Sequence, residues 1–382
     1  MASTACSSAV ARAPDLNAVP RARVRVPPDP FGVVSTANGR WSFVALGSSV
    51  AVMANQTPRP PARVEAPVLV RQLKVPGFPA GERLTHNGRY LLAAEAGGAV
   101  VINVAKAEHG TKGAVVGTLS GKKAGSGAIE VAVSPDDRYA FVSEEDSESL
   151  AVFNLHKALT HGFGPADFVG KVPLGIAPVG LAVSPNGKLI YATSEAARAA
   201  WLPTRPQGIE GVVGNTDSQV GTLTVIDLRR AETRPAQAVM VTIPAGCSPV
   251  RVITSANGSI VWVTARGSDA VLGFSASRLL HRPRHALVAK VQVGSAPVGL
   301  ALVHHGTRIV VADSDRFLAK SQSSNLAVVN VSAALAGHHA LLGLVPTGQF
   351  PREMTLIPHT HTLLVGDFDS DQVQAIDVHL LP

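Results

Sequence analysis

The feature that most constrains how this 382-residue chain can fold is that it repeats itself: "APVGLAVSPNGKLIYATSEA" at 177–196 returns as "APVGLALVHHGTRIVVADSD" at 296–315. Stepping seven residues from the start of each apolar run to the turn that follows gives one register in seven copies. The pairs are Gly32 to Gly39, Gly81 to Gly88, Glu130 to Asp137, Gly180 to Gly187, Arg251 to Gly258, Gly299 to Gly306 and Glu353 to Thr360. Successive turns lie 49, 49, 50, 71, 48 and 54 residues apart, and the 71 conceals an insertion of about 22 residues. Self-similarity at roughly 50 residues marks propellers and solenoids.

Within a copy the order is a strand ("GLAVS"), a Pro-Asn-Gly type turn, a second strand ("LIYAT"), a polar loop, a third strand ("TLTVIDL"), a longer connector and a fourth strand ("AVMVTIP"). These strands are called A to D below. A four-stranded sheet cannot bury both faces alone, so the copies pack face to face and a radial arrangement closes the stack. The runs lack a 3.6-residue period, which disfavours a helical solenoid. The last copy stops at "HLLP", one strand short, while "ARVRVPPDPFG" near the N-terminus matches "AKVQVGSAPVG" ahead of copy six. Ala22 to Val26 is therefore expected to supply the missing outer strand and leave no open edge. The expected fold is an all-β, seven-bladed propeller over residues 21–382, with an insertion in blade four at about 196–220 and a flexible tail over 1–20.

"SPNGKLIYATS", "SPDDRYAFVSE" and "SANGSIVWVTA" resemble the YVTN repeat of bacterial seven-bladed propellers in the lactonase-like group, with Tyr191-Ala192-Thr193-Ser194 at the name-giving tetrad. The likeness runs over roughly residues 22–380 and is weakest in copy one. It implies the propeller fold and a secreted, periplasmic or cell-surface location, and it raises lactone hydrolysis as an activity. No catalytic motif of that group can be matched residue by residue.

Hydrophobic residues make up 46% of the chain and aromatics 4%, so Val, Ala, Leu and Ile must fill the core. Mean hydropathy is +0.21, yet no apolar run approaches the ~18 residues of a membrane-spanning helix. Cys6 and Cys247 are too few for a disulfide framework, and Cys247, in "AGCSPVR", reads as a small turn residue. The first thirty residues hold no apolar segment ahead of a cleavage site, so no signal peptide is expected in them.

Because strands alternate in direction, every loop can be given a side of the disc. The D-to-A and B-to-C loops share one face, called upper; it carries Glu95, Glu144, Glu145, Asp146, Glu148, Glu195, Asp313, Asp315, Asp367, Asp369 and Asp371 and is expected to be acidic. All thirteen histidines fall on the other, lower side, with Arg138, Lys188, Arg229, Arg230, Arg278, Arg282 and Arg284. That lower face is expected to be basic, more so below about pH 6.5. Charged turns serve solubility in any case; the functional reading is contact with an anionic cell-envelope surface. Nucleic acid is disfavoured because the basic connectors lack interleaved aromatics.

Strand A is innermost, so its first residues ring the upper mouth of the channel. Four are glycines and three are Glu130, Arg251 and Glu353, with Glu82, Arg83 and Arg352 beside them. An arginine there can hold an anionic or carbonyl ligand while a buried glutamate acts as general base; the competing reading is a structural ion-pair set bracing the blades. Trp201 and Arg205 of the insertion are placed over the same mouth, ready to stack on or bond a ligand. The pairs His304-His305, His338-His339 and His359-x-His361 offer ligands, but no Cys or carboxylate set completes a site, so no metal is expected. No Walker loop, Gly-x-Ser-x-Gly elbow or dinucleotide glycine pattern occurs, and no cofactor is expected. Asn103, Asn154, Asp227, Asn330 and Asp377 recur at the end of strand C as caps of the connector. The function expected is binding of a small ligand or protein at the upper funnel, with a lactone hydrolase using Glu130, Arg251 and Glu353 as the alternative.

Overall fold

A computed structural model describes residue 6 and residues 10–121, 126–198, 219–316 and 324–382. Trp201 and Arg205 lie outside the described residues. After β1 (Arg21–Arg25), blade one is β2 (Val33–Ser35), β3 (Trp41–Leu46), β4 (Ser49–Ala54) and β5 (Val68–Lys74). Blade two is β6 (Glu82–Leu84), β7 (Tyr90–Glu95), β8 (Gly98–Asn103) and β9 (Val115–Ser120); blade three is β10 (Ala128–Val133), β11 (Tyr139–Glu144), β12 (Ser149–Asn154) and β13 (Phe168–Pro173). Blade four is β14 (Ile176–Val183), β15 (Leu189–Ala196), β16 (Val220–Asp227) and β17 (Val239–Cys247); blade five is β18 (Pro249–Thr254), β19 (Ile260–Ala265), β20 (Ala270–Ser275) and β21 (Leu287–Gln292). Blade six is β22 (Pro297–Val303), β23 (Arg308–Asp313), β24 (Asn325–Asn330) and β25 (Leu341–Pro346), and blade seven is β26 (Pro351–Leu356), β27 (Thr362–Asp367) and β28 (Gln372–Asp377).

Each blade is one antiparallel sheet with its strands in chain order, and β1 completes the seventh by pairing with β28, Ala22 opposite Ala375 and Val24 opposite Val373. The expected closure by the N-terminal strand is present. Every A strand touches the A strands on both sides, β26 meeting β2 to complete the circle. Strands B and C are buried on both faces because each sheet is covered by its neighbours; one cluster joins Phe43 and Val52 of blade one to Leu91 and Val100 of blade two. Outer strands face water on one side and alternate accordingly, as β5 does.

The A-to-B turns are held alike in five blades: a Ser or Thr hydroxyl donates to an Asn or Asp two residues on, as Ser184 does to Asn186 at 2.8 Å and Ser134 to Asp136 at 2.6 Å. Five connectors become short helices: α1 (Val104–His109), α2 (Leu155–His161), α3 (Leu228–Thr233), α4 (Ala276–His281) and α5 (Val331–Leu335). Asn103, Asn154, Asp227 and Asn330 cap α1, α2, α3 and α5, and Asp377 caps the last turn of the chain. Ser275 does the same for α4.

Two expectations need correction. Residues 10–20 do not form a free tail: Ala11 donates to Val293 O, Leu16 to Leu344 O, and Leu344 to Pro14 O, while Val19 is buried. This segment straps the outer edges of blades five and six, whose outer strands offer unpaired backbone groups, before entering blade seven as β1. Cys247 is more than a small turn residue, since it is joined by a disulfide to Cys6, 241 residues away. The strap is thereby anchored on blade four.

Candidate functional site

Strand A begins with a shift of register in blades three to seven, for example between Pro178 and Leu181 and between Pro249 and Val252. The shift frees the backbone N–H of the ring residue. In blades three, four and five that N–H is taken up by a hydroxyl of strand B: Glu130 N by Ser143, Gly180 N by Thr193 and Arg251 N by Thr264, each at 3.0 Å. The same hydroxyls donate onward to the next blade, to Val179 O, Val250 O and Val298 O at 2.7–2.9 Å. In blade two Gly81 N reaches Ile129 O directly. Thr193 is the third residue of Tyr191-Ala192-Thr193-Ser194, and its hydroxyl bridges two blades.

The ring glycines are needed for close approach. A Cβ on Gly299 would come within 1.8 Å of Arg352 O, and one on Gly81 within 2.7 Å of the Glu130 carboxyl. The bare backbone of one blade thus gives the carboxylate of the next a place to lie.

The structure brings Glu130, Arg251 and Glu353 together. Arg251 Nε lies 3.6 Å from Glu130 Oε2 and is hydrogen-bonded to Glu353 Oε1. Burial works against the charge of Arg251, but Glu353 and Glu130 together outweigh it and hold its pKa up. Burial, then the neighbouring Glu353, push Glu130 up to about 7, against the pull of Arg251 and Arg83. Glu82 joins the group, 4% exposed, and both its oxygens lack a hydrogen-bond partner among the described residues. Burial, with Glu130 adding to it, holds its carboxyl well above the usual range against the opposing pull of the backbone at Ala45. Nη2 of Arg251 is likewise buried without a partner among the described residues. These groups line a cavity of about 170 Å³, together with Arg83, Ile253, Leu300 and Thr355.

The upper mouth is closed rather than funnel-shaped. The residues just before the ring positions meet across the axis as an apolar layer, Phe31 and Ala80 with Ile129, and Val179, Val250 and Val298 with Ile129 and Phe350. Arg352 occupies the seventh place, its guanidinium 3.7 Å from the centre of the Phe31 ring and within 5.1 Å of those of Phe350 and Phe368. Burial and the nearby Arg251 lower its pKa to about 9. Exposure instead rises towards the lower end of strand A, at Val34, Ala182, Ile253, Ala301 and Thr355, with Arg83 exposed. The cavity is entered from below.

The acidic upper face is also revised. Glu95, Glu144, Glu195, Asp313 and Asp367 are buried, because the first carboxylates of the B-to-C segment end strand B inside the disc. Glu144 accepts from Ser126 and Ser149 and pairs with Lys171; Glu195 pairs with Arg266 at 2.8 Å; Asp367 accepts from Gly348 N and Gln372. Burial pushes Asp367 up to about 7 in spite of those hydrogen bonds. On the lower side, Arg229, Arg230, Arg278, Arg282 and Arg284 are exposed on or beside α3 and α4. The structure sets His361 beside His379, ring centres 4.8 Å apart.

No protein-family model and no curated protein sequence matches the chain. In fold it is similar to a chain of hydrazine synthase from Kuenenia stuttgartiensis, at 14% identity over 93% of this chain and 97% of that one, with a TM-score of 0.67. It is also similar to the β-propeller domain of Cps50 (Swd1) from Myceliophteria thermophila, at 12% identity over 94% and 99% of the two chains, with a TM-score of 0.65. At these identities the likeness carries the architecture and nothing of the chemistry. Among the described residues no helix is long and apolar enough to cross a membrane.

Proposed function

We propose that the protein is a binding propeller of the YVTN-like kind whose ligand site is the hub cavity, entered from the lower face past Arg83. The observation that carries this reading is that the buried carboxyl of Glu82 and a guanidinium nitrogen of Arg251 line one cavity without hydrogen-bond partners among the described residues. Buried polar groups left unpaired cost ~1–3 kcal/mol each, and a ligand with hydrogen-bond acceptors relieves that cost on binding. The volume is below the ~300–1,000 Å³ of drug-sized pockets, so the ligand is small. The disulfide supports a secreted, periplasmic or cell-surface location, where thiols stay oxidised. Arg229, Arg230 and their neighbours on the lower face remain available for contact with an anionic envelope surface.

The second reading is a lactone hydrolase. It is favoured by Glu130, whose pKa of about 7 suits a general base, beside an arginine able to polarise a carbonyl. One experiment separates the two: a panel of small lactones and of small carboxylic acids, assayed for turnover and for thermal stabilisation with wild type, Glu82→Gln and Glu130→Gln. Stabilisation that Glu82→Gln weakens, without turnover, supports binding. Turnover abolished by Glu130→Gln establishes the enzyme. If no member of the panel stabilises or is turned over, the hub is a structural brace and the proposal fails.

A further inference from the structure

A second site lies away from the hub, on the rim between blades six and seven. Along β1 the sequence alternates Arg21, Ala22, Arg23, Val24, Arg25, so the three arginines share one face of the strand. Ala22 and Val24 turn towards blade one, packing in the cluster that holds Val33 and Val44. The arginines turn the other way. Arg23 stands opposite Gln374 and Arg25 opposite Gln372, and Gln374 Nε2 donates to Pro346 O of blade six at 3.3 Å. Between these walls runs a groove of about 340 Å³, lined by Arg21, Arg23, Gln372, Gln374, Thr347 and Gly348 among others. Its volume falls within the range of ligand sites, which the hub cavity does not reach.

Arg21 and Arg23 line this groove, and Arg25 follows them along the strand. None of Arg21, Arg23 and Arg25 makes an ion pair with a described residue; Arg21 only reaches Leu16 O, at 3.5 Å, and Arg23 and Arg25 are exposed. Alternate residues on a strand repeat every ~6.7 Å, so the row presents three cations in line over roughly 13 Å. Charged residues on an outer strand do blunt edge pairing. Discouraging edge pairing does not call for two arginines in the lining of a groove, with a third in line beyond them, beside buried glutamine amides.

We propose that this groove binds a segment of a linear acidic polysaccharide, its carboxylate or sulfate groups on Arg21, Arg23 and Arg25 and its hydroxyls towards Thr347 and the two glutamines. A row of evenly spaced cations suits a polymer with regularly repeated anions, and guanidinium forks suit planar carboxylates. Among the described residues the groove is lined by no aromatic ring on which bases could stack, as single-stranded nucleic acid requires. It is concave, which suits a chain and not a bilayer surface.

The test measures binding of the full chain at low salt to polygalacturonate, dextran sulfate, neutral dextran, single-stranded DNA and anionic phosphatidylglycerol vesicles. The acidic polysaccharides are expected to bind, more weakly as salt rises, and neutral dextran not to bind. Arg21→Gln/Arg23→Gln/Arg25→Gln is expected to weaken binding by roughly tenfold, with Arg23→Gln alone giving a smaller loss in the same direction. A lower-face control, Arg229→Gln/Arg230→Gln/Arg278→Gln, is expected to change it less than twofold. Thermal unfolding checks that each variant is folded, and the single variant decides if the triple one is not. The proposal is overturned if neither acidic polysaccharide binds, if the control loses as much as the groove variants, or if DNA or vesicles bind more tightly through the same arginines.

Discussion

Glu130, Asp367 and Asp315 titrate at about 7, 7 and 6, well above the ~4 of free carboxyls, in each case chiefly because burial disfavours the charged form. Between about pH 4 and 7 the native protein therefore holds protons that the unfolded chain has released, and stability falls as pH rises through that window. The thermal midpoint is expected to be higher at pH 5 than at pH 8, with Asp367→Asn removing part of the drop. A midpoint that climbs over the same range in wild type contradicts these assignments. In sequence these carboxylates look like loop charges, since the last residue of a strand and the first of a loop carry the same letter. Only the third dimension shows that Asp313 and Asp367 lie under the loop that leads into their own blade, at Gly294 and Gly348. Glu130, Arg251 and Glu353 were legible because the repeat sets them at one register position; their cover of Phe31, Val179, Val250 and Val298 was not, since apolar residues next to a glycine ring read equally well as wall or lid.

At the scale of elements, the strand B hydroxyl joins each blade to the next in the third to fifth sectors. Replacing Thr264 by Val removes the bridge between Arg251 N and Val298 O and leaves a buried N–H and a carbonyl unpaired, a loss of about 1–3 kcal/mol in chemical denaturation. Asn154→Ala, which removes the cap on Lys157 N, is expected to cost about 1 kcal/mol. An unchanged denaturation midpoint for Thr264→Val shows that the bridge adds nothing. The strands, turns and caps could all be read in the sequence, because period, Pro-Asn-Gly turns and recurring Asn or Asp are local signals. The role of Thr193 and its equivalents could not, because the carbonyl each hydroxyl meets belongs to another copy, such as Val250, 57 residues away.

At the scale of the whole molecule, the chain is closed twice: by β1 in blade seven, and by the Cys6–Cys247 link that ties the strap to blade four. The matching of "ARVRV" to an outer strand revealed the first closure. Two cysteines so far apart in sequence gave no sign of the second. Cys6→Ser is expected to lower stability by about 2–4 kcal/mol, and a reducing agent to do the same to wild type while leaving the variant unaffected; equal stability of all three would show that the strap does not depend on the link. The side of every loop, the hub and the rim groove all depend on the first closure. The most direct test of it is amide hydrogen exchange along β28, residues Gln372–Asp377. If β1 completes the seventh sheet, amides on both edges of β28 are protected as fully as those of β20, an interior strand of blade five. If alternate amides of β28 exchange as fast as those on the open edge of β5, the ring is not closed there.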